Sequence, residues 1–299
     1  MEYTDVIDWK EKIDIIDEFE KVLGGIDGPT NRPIKQIINR TAWLRKRTRI
    51  PIYNDLILKV STVGNDATGD LISPFRQPQA ALNYALGQLD FRVPAILAIG
   101  LEPGQYESID IRSVPQGVKM IKINGTNSDT TLIDYLVSHA PCEVEISNIG
   151  INSCAATLNN AMIIAYTGAT VILSNNVSFF PKTGCCPIIS HNCGHVYVQN
   201  ANVILRPGAD YYAIFTASSG GTIRVGNSSI MVDVNVSASN AFVYSTLGGI
   251  FISENMQMSY IINGKRYTAD SAGKILSNST ADTWPCSIAG SKDSSAIVM

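Results

Sequence analysis

Six times along this chain of 299 residues, a short β-branched or apolar run closes on asparagine: Ile121 to Asn124, Val144 to Asn148, Val171 to Asn175, Val196 to Asn200, Ile223 to Asn227 and Ile250 to Asn255. The intervals between successive asparagines are 24, 27, 25, 27 and 28 residues. A recurrence of this length marks a stacked solenoid, in which one repeat cannot bury its apolar face without its neighbours. Within the runs side chains alternate: Val196 and Val198 face one way and Tyr197 the other, as do Ile223 and Val225 against Arg224. A small residue, Ala169, Gly194, Gly221 or Gly249, precedes each of the last four runs. The period is too short for a helical pair or a four-stranded propeller blade, and residues 141–260 carry no helical periodicity. The expected fold is therefore all-β, a parallel β-helix with one coil per repeat and coils about 4.8 Å apart. Asparagine suits the left-handed conformation of a sharp turn, and its amide is able to bond the amide one coil above and below.

Charged residues make up only 16% of the chain and the net charge is −3, which excludes a broadly basic nucleic-acid-binding or membrane-surface protein. The N-terminus, MEYTDVIDWKEK, is acidic from its second residue and does not resemble a secretory leader. No apolar stretch approaches the roughly 18 residues needed to span a bilayer. Folding in the cytoplasm is the expectation, and with it six reduced cysteines, Cys142, Cys154, Cys185, Cys186, Cys193 and Cys286, buried as small hydrophobes.

Residues 1–50 differ from the rest. Residues 1–30 hold nine acidic and three basic side chains, whereas residues 31–49 hold seven basic and no acidic ones. Trp9, Ile13, Ile16 and Leu23, then Ile34, Ile37, Thr41 and Leu44, form narrow helical stripes that pack helix on helix. Gly24 and Gly25 stop the first helix, and Pro33 suits the first turn of the second.

The segment from Gly24-Gly25-Ile26-Asp27-Gly28-Pro29 through Ile37-Ile38-Asn39-Arg40-Thr41-Ala42-Trp43-Leu44 resembles the N-terminal attachment segment of tail fibres and tailspikes of tailed bacteriophages. Leu58 to Asp66 with Ser73 to Tyr84 resembles the opening of pectin-lyase-like β-helices: a strand, a Gly-Asn-Asp turn and a capping helix. Gln77-Pro78 stands where that family usually has threonine. Residues 264–290 resemble the C-terminal portion of phage tail-fibre proteins, with Cys286 where glycine is common. These resemblances imply a right-handed parallel β-helix body in a homotrimer. The divisions they imply are a tail-attachment segment (1–50), a strand and capping helix (51–90), the β-helix (91–260) and a strand-rich end (261–299). They also imply tail contacts through Ile34, Ile37, Arg40, Trp43 and Leu44, residence in the virion tail after assembly in the host cytoplasm, and bacterial surface polysaccharide as partner.

In that family a β-helix holds carbohydrate or cuts it. Hydrolysis needs two carboxyl groups roughly 5 to 10 Å apart. The outward positions expected on the asparagine-terminated strand, Lys122, Glu145, Ile172, Tyr197, Arg224 and Phe251, include one acid. Asp210 and Asp233, about one coil apart, are a further candidate pair, and Arg224 with His195 could serve lyase chemistry. His191, Cys193 and His195 alternate as residues of one strand face would, a pattern that suits zinc or iron, but Gly194 interrupts it. No metal or other cofactor is expected. The basic run Arg40, Arg45, Lys46, Arg47 and Arg49 has one interleaved aromatic, Trp43, and reads as a solvated helix end, not a nucleic-acid site. Adhesion is the expected function, with Tyr197, Arg206, Asp210, Tyr211, Tyr212 and Arg224 as sugar contacts. The same outward residues suit an inter-subunit interface equally. A polysaccharide depolymerase and a purely structural tail or baseplate component are the alternatives.

Overall fold

A computed structural model describes residues 49–155, 160–278, 281 and 284–299. The N-terminal helical segment, including Ile34, Ile37, Arg40, Trp43 and Leu44, lies outside the described residues. The described chain is a parallel β-helix of about seven turns. Its first face runs in the order Leu56–Val60, Ala95–Leu101, Val118–Asn124, Glu143–Ile151, Thr170–Phe179, His195–Leu205, Thr222–Gly226, Ile250–Glu254, Lys274–Ser277 and Ile297–Val298, each strand parallel to the next. Past the asparagine bend the same sheet continues onto a second, shorter face, which includes Thr131–Ile133 and Ser229–Val232. A separate 10-stranded sheet forms the third face, running through Ala161–Tyr166, Cys186–His191, Asp210–Ser218 and Ser237–Thr246.

The alternation seen in the sequence becomes columns in the core. Leu97, Ile121, Val144, Val171, Val196, Ile223, Phe251 and Ile275 stack in register, and all are fully buried. Phe251 therefore points inward, contrary to the expectation for it; Ile252 is the residue in register with Arg224. The last run is longer than its predecessors, so counting from its first residue misplaces the strand by one position, and one position reverses a strand's face. Aliphatic columns give way to rings near the C-terminal end, where Trp284 packs against Phe242 at 5.5 Å and Phe251 at 5.7 Å.

Two of the three corners of each coil show a recurring backbone conformation. Asn148, Asn175, Asn200, Asn227 and Asn255 all have positive φ, between 46° and 53°, as a sharp turn demands. Part of the amide ladder is in place: Asn255 Nδ2 donates to Asn227 Oδ1, and Asn278 Nδ2 to Asn255 Oδ1, each at 3.0 Å. The other corner joins the third face to the first through pairs of consecutive positive-φ residues, Thr167-Gly168, Asn192-Cys193, Ser219-Gly220, Leu247-Gly248 and Ser271-Ala272. The small residue that follows closes the turn, as where Gly194 N donates to His191 O at 3.0 Å and Gly221 N to Ser218 O at 2.9 Å.

At the N-terminal end the helix Pro78–Gln88 buries Pro78, Ala81, Leu82 and Ala85. Its start is fixed by Asp66, whose Oδ1 accepts from Arg76 N and Gln77 N, and Gln77 Oε1 in turn accepts from Glu107 N in the first coil. Cys154 and Cys185 form a disulfide, their Cα atoms 6.5 Å apart, which corrects the expectation of six reduced thiols. Stacking brings residues from consecutive coils within disulfide reach, a closeness that sequence separation hides. Cys142, Cys186, Cys193 and Cys286 are free thiols.

Candidate functional site

The first face carries its outward side chains in a second set of columns: Lys122, Glu145, Ile172, Tyr197, Arg224 and Ile252 in register. Lys122 Nζ lies 2.8 Å from Glu145 Oε2, and Ser174 Oγ donates to Glu145 Oε1 at 2.8 Å, so this end of the face is satisfied within itself. Burial pushes the Glu145 carboxyl up, but those two partners outweigh it and hold the group below the usual carboxylate range.

Further along, the face opens into a shallow cavity of about 300 Å³ lined by Tyr197, Val198, Gln199, Arg224, Gly226, Asn227 and Glu254. The cavity exists because of Gly226, which sits in register between Gln199 below and Glu254 above. A Cβ built on Gly226 would meet nothing within 4 Å, and its φ is not among the positive values, so neither crowding nor backbone conformation requires glycine there. A glycine inside a strand costs about 0.5–1 kcal/mol relative to alanine, so at this position the chain gives up stability for open space.

The walls suit a polar ligand with apolar patches. Tyr197 lies nearly parallel to His195 on the same strand face, 6.4 Å between ring centres with an interplanar angle of 5°. Arg224 Nη2 donates to Glu254 Oε2 at 2.7 Å, a bond that raises the guanidinium pKa further. The slot thus presents an aromatic ring, a matched charge pair and two amides, the composition that binds sugars by stacking and hydroxyl hydrogen bonds. Glu254 is the one carboxylate in its lining. A second carboxyl, which glycoside hydrolysis requires, is absent from that lining.

Two of the six expected sugar contacts, Tyr197 and Arg224, meet in this slot; the other four do not. Tyr211 is fully buried, its hydroxyl donating to Phe179 O at 3.1 Å, because the expected loop is already strand at Asp210–Ser218 and alternation sends Tyr211 inward. Tyr212 is exposed on the third face, edge-on to Tyr244. Asp210 accepts from Ser237 Oγ at 2.8 Å. Arg206 donates to Asp129 and lies 3.6 Å from Asp233, with Phe180 beneath its guanidinium at 5.9 Å. Asp210 and Asp233 are thus engaged by different partners.

No family model, curated protein or solved structure matches the chain.

The expected one-face run of His191, Cys193 and His195 does not form. His191 ends one strand and accepts or donates at Ser218 Oγ (2.7 Å), Cys193 occupies the turn with φ 61°, and His195 opens the next strand. Among the described residues, no three His, Cys, Asp or Glu side chains converge as metal ligands. No described helix is long and apolar enough to cross a membrane.

Sequence reasoning missed Gln199, Gly226, Asn227 and Glu254. A signal was present: in the last five repeats the residue just before the asparagine is Ser147, Ser174, Gln199, Gly226 and Glu254, and glycine is the outlier. The contact of Asp129 with Arg206 had no such signal. The loop bearing Asp129 crosses the next coil over Gly150, where a Cβ would come within 2.4 Å of Ser128 O.

Proposed function

We propose that the protein is a phage tail fibre or small tailspike whose right-handed β-helix assembles as a homotrimer, joins the virion tail through its N-terminal segment and holds bacterial surface glycans at the Tyr197–Arg224 slot. The observation that carries the binding role is the glycine-floored cavity, open without any backbone reason and walled by an aromatic ring and hydrogen-bonding side chains. Three copies present three equivalent slots, so weak individual contacts sum into avidity. Trimerisation draws support from exposed apolar side chains between the second and third faces: Val234, Tyr260 and Ile261, each more than 60% exposed, lie in adjoining coils. Clustered exposed apolar residues of this kind mark association surfaces. Adhesion is favoured over depolymerisation by the single carboxylate in the slot.

Screening the full chain on an array of bacterial surface polysaccharides tests the reading. Tyr197→Ala removes the stacking platform and is expected to weaken binding by about tenfold per site, the value of one aromatic contact. Wild-type protein that retains no glycan, or a Tyr197→Ala variant that binds as wild type does, rejects the slot as the binding site.

A further inference from the structure

The slot does not end at Asn227. That residue also lines a second recess of about 260 Å³ on the far side of the asparagine corner, together with Ser229, Asn255 and Gln257. The ladder leaves hydrogen-bonding capacity here. A primary amide offers two donors and two acceptor lone pairs. Asn255 spends one donor on Asn227 and one lone pair on Asn278, and its remaining amide capacity, with that of Asn227 and Gln257, is open to a ligand. Groups that both donate and accept match groups of the same kind, and sugar hydroxyls are such groups.

Charge narrows the ligand further. The first recess holds one cation, Arg224, already bonded to one anion, Glu254, and the second holds no charged side chain. A carboxylate-bearing sugar entering beside Arg224 would have to displace Glu254 or lie against it. A hydroxyl faces no such penalty.

We infer that the two recesses are subsites of one bent groove that takes a neutral glycan of two or more linked sugars across the asparagine corner, and that Glu254 excludes acidic sugars. This inference rests on the glycan-binding reading of the slot.

The test is a titration of the full chain with two oligosaccharide sets of equal length, one neutral and one carrying uronate or sialate. Wild type is expected to bind the neutral set more tightly. Glu254→Gln is expected to raise the ratio of acidic to neutral affinity by on the order of a hundredfold, the Coulomb penalty of like charges about 5 Å apart near a protein surface. Gln257→Ala is expected to weaken longer neutral chains while sparing the monosaccharide, which reaches only the first subsite. Gly226→Gln fills the groove and is expected to abolish binding with the β-sheet circular dichroism intact. Wild type that prefers the acidic set, or a Glu254→Gln ratio unchanged from wild type, overturns the inference and leaves the glycan reading standing. Binding that survives Gly226→Gln places the glycan elsewhere on the rod and also overturns it. No binding to either set removes both.

Discussion

At the scale of single residues, facing decides function here more than residue type. Tyr211 and Tyr212 are neighbours of the same type, yet one fills the core and the other is exposed. Position within a strand sets that outcome, and the strand's start at Asp210, just after Pro207-Gly208, could not be read from the sequence. His191 illustrates a cost of partial burial. Desolvation lowers its pKa below the usual 6.5, so the folded chain takes up a proton less readily than the unfolded one. Above 6.5 both states hold the ring neutral and stability is undiminished. As pH falls below 6.5 the unfolded state protonates first, and stability drops until the folded-state pKa is passed. Denaturant midpoints measured between pH 7.5 and 5 are expected to fall more steeply for wild type than for His191→Gln. Equal slopes would show that this ring does not couple folding to protons.

At the scale of elements, the asparagine corner and the corner that joins the third face to the first obey different rules. The asparagine corner needs one left-handed residue per coil, and the type of that residue is legible in the sequence because asparagine tolerates such angles. The opposite corner needs two consecutive left-handed residues, and the pairs themselves vary in type: Thr-Gly, Asn-Cys, Ser-Gly, Leu-Gly and Ser-Ala. What they share is the small residue that follows. A Cβ on Gly221 would lie 2.3 Å from Ser190 O, and one on Gly249 2.1 Å from Ala217 O, both in the coil before. Gly221→Ala is therefore expected to force neighbouring coils apart and to destabilise by several kcal/mol. Cys193→Gly, at φ 61° in an equivalent corner, is expected to stabilise by about 1 kcal/mol, since glycine adopts that region without strain. Chemical denaturation of the two variants beside wild type reads both signs. A destabilised Cys193→Gly would mean that its side chain, near Ser219 O at 4.0 Å, contributes more than the backbone strain costs.

At the scale of the whole molecule, the rod is built from coils whose strands pair with those of adjoining coils, so its length follows from the number of repeats and its ends need separate solutions. The helix Pro78–Gln88 and the ring of Trp284 occupy those ends. Light scattering of the purified full chain is expected to give three times 32.3 kDa for the proposed trimer, and a mass near 32.3 kDa would exclude it. The amino-acid sequence by itself determined the solenoid, its period, the inward columns through most coils and the left-handed asparagines, because these depend on local alternation and local backbone preference. Only the tertiary structure decided which side chains from different coils meet: the Cys154–Cys185 bond, the reach of Asp129 to Arg206, and the slot that joins Tyr197, Gly226 and Glu254. Register between coils is set by the whole stack at once, and a cavity is a property of what neighbouring coils leave unfilled, which no single repeat contains.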